Sequence, residues 1–195
     1  MYLKTIEENG AAGKVAEIYA AQKAQLGFVM SAAQCLTTRE DLLPAYTDFV
    51  NTMRGGFTLS PRDWRIITLI AAREVRSTYC SMVYGKQLIA DLGSKEMVLA
   101  VQRDFRTAGL SDRDVAMLVY AEKVARDATR VTQADIDALR AAGFTDANIS
   151  DIALCAAFRC FIGRFFDAVG AGPEAAFIDD DPAWRDTLTV GRPAT

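Results

Sequence analysis

Histidine is missing from all 195 residues, so the side chain that moves protons most readily near neutral pH is unavailable to any chemistry the chain performs. Cysteine is scarce. Cys35, Cys80, Cys155 and Cys160 are too few and too widely spaced for the disulfide framework of a secreted domain. With no histidine and no Cys-x-x-Cys pair, a structural zinc site is not expected, and no other metal or cofactor is read from the sequence. No apolar run reaches the roughly 20 residues that cross a bilayer, and Met1-Tyr-Leu-Lys-Thr-Ile-Glu-Glu carries no signal-peptide core. The expectation is a soluble, cytoplasmic protein with no membrane partner. Excess positive charge is lacking too: 22 Lys and Arg face 25 Asp and Glu, and the bases are scattered. That argues against a nucleic-acid partner, which needs massed cations.

What is present is helical periodicity. Half of the chain is apolar (51%), enough to bury a core. Apolar positions three and four apart predict helices over about 11–26 (Val15, Ile18, Tyr19, Leu26) and 39–53 (Leu42, Leu43, Tyr46, Phe49, Val50, Met53). Residues 28–33 read as a loop between them. Leu59-Ser60-Pro61-Arg62-Asp63 is a strong start signal, with a serine cap, proline at the first helical position and an acidic first turn. It opens a helix over 61–74, and a second follows over 78–92. A short helix through Val101 precedes Leu110-Ser111-Asp112-Arg113-Asp114, which repeats four of the five residues of the earlier start and opens a helix to about residue 128. The repeat fits either duplicated helical units or shared capping chemistry. Helices over 132–142 and 147–169 follow; the last carries Ile149, Ile152, Ala153, Ala156, Phe158, Phe161, Ile162 and Phe165 on a wide apolar face, as a central or subunit-interface helix would. No strand signal competes. The reading is one all-α domain over 1–175, followed by an acidic tail, 176–195, extended over the surface.

Chemistry concentrates at Ser77-Thr-Tyr-Cys80-Ser-Met-Val-Tyr84, which has the spacing of a helical thiol redox site. The order of features around it resembles the carboxymuconolactone decarboxylase superfamily, and within it the AhpD-like, peroxidase-related proteins. The resemblance rests on Leu26-Gly27-Phe28-Val29, Leu42-Leu43-Pro44-Ala45-Tyr46, the Leu59 start, Tyr79-Cys80, and the late Ala153-Leu-Cys-Ala-Ala-Phe-Arg-Cys-Phe-Ile-Gly-Arg-Phe-Phe helix. It covers roughly residues 5–175 and implies an AhpD-like helical bundle, an antioxidant oxidoreductase, and a homo-oligomer (dimer, trimer or hexamer).

In that family a Cys-x-x-Cys-x-x-x-His helix works with a glutamate on the preceding helix. The second cysteine attacks peroxide, the first resolves the sulfenic acid, and the other two relay protons. Carried over, Cys80 falls at the attacking cysteine, Ser77 at the resolving one, Tyr84 at the histidine and Arg65 at the glutamate. A serine cannot close a disulfide, so a sulfenic acid at Cys80 would have to be resolved by another thiol or by a partner. Tyr84, with an ordinary pKa near 10, is a poor base but can donate a hydrogen bond. Arg65 reverses a charge; close to Cys80 it would favour a thiolate, and otherwise it would pair with Glu74 or stay exposed. Ser77 reads first as a helix cap. Cys155 and Cys160, about 140° apart on one helix, read as packing, and Cys35 only remotely as a distant resolving thiol.

The resemblance therefore implies a one-cysteine, thiol-dependent hydroperoxide reductase with a small-molecule substrate. One alternative is a non-catalytic oligomer that binds a small ligand or a partner. The other is a decarboxylase-like lyase, in which Arg65 and Tyr84 would serve as anion grip and acid.

Overall fold

The computed structural model describes residues 1–194, which form ten α-helices and, among the described residues, no strand. The helices are α1 (Gly13–Leu26), α2 (Ser31–Gln34), α3 (Leu42–Gly56), α4 (Pro61–Glu74), α5 (Thr78–Leu92), α6 (Lys95–Asp104), α7 (Asp112–Asp127), α8 (Gln133–Ala141), α9 (Asp146–Val169) and α10 (Pro182–Leu188). None is long and apolar enough to cross a membrane.

The core is built around α4. Ser60 Oγ accepts from the Asp63 amide at 3.1 Å, and the Asp63 carboxylate accepts from the Ser60 amide at 3.2 Å. These two bonds satisfy donors that a bare helix start leaves open. Further along, Ile66, Ile67, Leu69, Ile70, Ala71 and Ala72 have no exposed surface, so α4 is enclosed on nearly every side by α5, α7 and α9. Ser111 caps α7 in the same way, accepting from the Asp114 amide at 3.1 Å. The two matching starts lie side by side: Arg62 forks onto the Asp114 carboxylate at 2.6 and 3.0 Å. At the other end Arg73 meets Glu122 at 2.7 Å and Arg126 meets Glu74 at 2.9 Å. α4 and α7 therefore run parallel.

Four expectations need correction. The second helix starts at Leu42, not at residue 39, because proline is tolerated only in a first turn and Pro44 occupies the third helical position. α1 starts at Gly13, after an extended Ala12. Residues 31–34 are helical because tertiary bonds hold them: the Ser31 hydroxyl donates to the Gly172 carbonyl at 2.6 Å, and its amide donates to Glu174.

The acidic tail is folded. Asp181 caps α10 by accepting from the Ala183 amide at 2.9 Å, and Pro182 takes its first position. α10 lies on α5 and α6, and its Trp184 and Leu188 have no exposed surface. Gly85 makes room for this: a Cβ there would stand 2.8 Å from a Leu188 methyl. Asp179 pairs with Lys95 at 2.9 Å and Lys86 at 3.5 Å.

α9 has a buried face and an open one. Leu154 (45% exposed) and Phe161 (64%) are seven residues apart, hence on one stripe.

Candidate functional site

Cys80 is the third residue of α5. The chain reaches it through a tight reversal after α4, in which Arg76 takes the left-handed conformation (φ 60°) and the Ser77 amide donates to the Ala72 carbonyl at 2.9 Å. A non-glycine residue seldom adopts that conformation. Opposite the reversal, α9 comes close because it has a glycine there: a Cβ on Gly163 would stand 3.3 Å from Ser77 Cβ. One turn earlier on α9, this approach sets Arg159 against α5.

Arg159 is the centre of the site. It is 3% exposed. Its Nη1 donates to Cys80 Sγ at 3.5 Å and its Nη2 to the Tyr84 hydroxyl at 2.9 Å. The guanidinium lies 4.6 Å from the Tyr84 ring centre and 5.6 Å from that of Phe158. Its Nε has no acceptor, and among the described residues no carboxylate lies within ion-pair distance of it. A buried cation without a counter-ion is costly and uncommon. Burial works against its charge, but Tyr84 and Cys80, which can become anionic beside it, hold the guanidinium protonated above its ordinary range.

Tyr84 oxygen also accepts from Arg54 Nη2 at 3.1 Å. Arg54 is the exposed member of the group and lies 5.3 Å from the Trp64 ring centre. Tyr46 and Phe158, with ring centres 6.0 Å apart, and Trp64, 6.3 Å from Phe158, form an aromatic wall. Burial pushes the Tyr46 hydroxyl well above its ordinary pKa, so it stays protonated.

The other cysteines are pinned as thiols. Burial pushes Cys35 and Cys155 up to about 12 and raises Cys160. Their sulfurs lie against Ala32, Trp64 and Ala125 carbonyls at 3.2, 3.7 and 3.6 Å. Cys80 differs in having a guanidinium on its sulfur.

Several crystal structures share this architecture. An uncharacterized peroxidase-related protein from Ralstonia eutropha JMP134, described as an alkylhydroperoxidase AhpD core, matches with a TM-score of 0.83 at 23% identity, over 90% of this chain and 93% of that one. The fold is that of the AhpD core. A peroxidase-related protein from Silicibacter sp. TM1040 shares this AhpD-like fold at a TM-score of 0.79 and 24% identity, over 89% of this chain and 93% of that one. So does the debrominase Bmp8, at 0.75 and 18% identity over 95% and 96%; a cysteine-to-alanine variant of Bmp8 has been solved in complex with 2,3,4-tribromopyrrole. No family model and no curated protein matches the sequence.

Within the AhpD-like fold, Cys80 and Tyr84 share the site, while Arg65 makes no hydrogen bond to either. Arg65 forks onto Asp91 of α5 at 2.6 and 2.8 Å, and Glu74 is held by Arg73 and Arg126. The cation beside Cys80 is Arg159 of α9. Ser77 stands at the N-cap of α5, but its side chain makes no capping bond. The hydroxyl is fully buried and makes no well-formed hydrogen bond. Arg159, Arg54 and Tyr46 escaped the sequence reading. One signal pointed to Arg159: it follows Cys155 by four and precedes Ile162 by three, which puts a charge on the buried stripe.

Ser77→Cys is expected to yield a reducible disulfide with Cys80 under mild oxidation, since a thiol also removes an unsatisfied hydroxyl. Non-reducing mass spectrometry that finds both thiols free would show that the reversal holds them out of bonding geometry.

Proposed function

We propose that this protein is a one-cysteine, thiol-dependent hydroperoxide reductase acting through Cys80. The observation that carries the reading is the Arg159 guanidinium, buried without a carboxylate and donating to the Cys80 sulfur. A charge-assisted bond of this kind favours electron-rich sulfur. Sulfur attacks the terminal peroxide oxygen, the O–O bond breaks, and the departing alkoxide takes up the proton. The products are an alcohol and a sulfenic acid on Cys80. Because its oxygen accepts from both arginines, Tyr84 keeps its own hydrogen free to donate to the departing oxygen. Ser77 cannot resolve the sulfenic acid, so a first external thiol forms a mixed disulfide and releases water. A second thiol frees Cys80 as an external disulfide. Cys80 is enclosed, so the peroxide enters past the side chains of Arg54 and Tyr84. The open Leu154 and Phe161 stripe supports assembly of several copies through α9.

Dimedone added with an alkyl hydroperoxide is expected to label Cys80 alone, and Cys80→Ala to abolish peroxide-dependent thiol oxidation. No label, together with no peroxide-dependent thiol oxidation by the unsubstituted protein, would reject the reading in favour of a non-catalytic binding protein. A second reading, thiol-dependent removal of a ring halogen, is supported by the aromatic wall and by the fold shared with Bmp8. Halide release in the same assay, with a bromoaromatic in place of peroxide, separates the two.

A further inference from the structure

We infer that the point where Arg54 and Arg159 converge is a binding site for an aromatic monoanion, a planar ring bearing one carboxylate. The inference names the substrate class of the site proposed above and rests on that reading for its catalytic meaning.

Two guanidiniums point at one neutral atom, the Tyr84 hydroxyl oxygen, from 3.1 and 2.9 Å. Neither arginine has a carboxylate partner among the described residues. A neutral hydroxyl balances no charge, whereas a carboxylate oxygen at that point would offset the buried cation and accept bidentate bonds from it. Two further donors nearby are buried without acceptors, Arg159 Nε and Trp64 Nε1, so the site has more donors than the protein supplies acceptors for. Its walls, Tyr46, Trp64 and Phe158, are aromatic and suit a flat ring over an aliphatic chain. The Tyr84 hydroxyl is then a place-holder that the ligand displaces.

The probe is benzoate, with cyclohexanecarboxylate and benzyl alcohol as the shape and charge controls. Binding is read by titration calorimetry on Cys80→Ser protein, so that it does not depend on thiol chemistry. Benzoate should bind at least 10-fold more tightly than either control, and Arg54→Met should weaken it about 10- to 100-fold, the worth of a lost charge-assisted bond. Tyr84→Phe should strengthen it several-fold, because the competing oxygen is gone; a merely structural role would not move affinity in that direction. Equal binding of benzoate and benzyl alcohol, no saturable binding, or indifference to Arg54→Met would overturn the inference. The two readings fail separately: benzoate binding without peroxide labelling of Cys80 leaves the anion site standing, and labelling without benzoate binding removes it alone.

Discussion

Arg159→Met is expected to raise the melting temperature of the protein while slowing the reaction of Cys80 with peroxide about 100-fold. The two effects have one cause. Among the described residues, the buried guanidinium is balanced only by a thiol, a phenol and two ring faces. Replacing a poorly compensated buried charge by a side chain of similar length is neutral or stabilising, here by about 1 kcal/mol after the lost cation–π contacts are counted. For a chain of this size that is about 2–4 °C. The same substitution removes the only donor on the Cys80 sulfur among the described residues, and the loss of one preorganised donor costs about 10²-fold in rate. Thermal unfolding with stopped-flow peroxide oxidation checks both. A fall in melting temperature of more than about 10 °C would instead make Arg159 a structural pin of the α5–α9 contact.

Trp184→Ala is expected to cost about 3–5 kcal/mol, the usual loss for a fully buried tryptophan, seen as a drop of roughly 6–20 °C in melting temperature. Its indole makes no hydrogen bond, so the loss is one of packing against α5 and α6 and of the Lys95 ammonium 5.7 Å from the ring centre. Trp184→Phe should recover most of it. A change below about 0.5 kcal/mol, typical of surface positions, would mean that the tail rests on the bundle without stabilising it.

Where capping chemistry is local, the sequence was an accurate guide. Serine, proline and an acidic first turn placed the start of α4, and Gly93 after Leu92 placed the end of α5. Asp181-Pro182 carries the same kind of signal, a side-chain cap followed by proline, and was obscured by the acidic run before it. The site was half legible. The spacing from Ser77 to Tyr84 lies within one helix and could be read directly. The partner that matters is 79 residues away from Cys80, and it arrives through a close helix approach that Gly163 permits. No spacing rule reaches across such a distance. Only a charge on an apolar stripe hinted at it.

The Arg62–Asp114 fork closes a loop across 52 residues, and α5 lies inside that loop. The helix that carries Cys80 therefore cannot fray from a chain end, and fraying is how buried groups near termini become exposed at little cost. Exposure of this thiol has two routes: a small local swing of Tyr84 and Arg54, or opening of the clasped bundle as a whole. The first uncovers little surface and is nearly indifferent to urea, while the second follows the full denaturant slope of unfolding. The clasp thus divides access to Cys80 from damage to the fold by the amount of surface each must uncover.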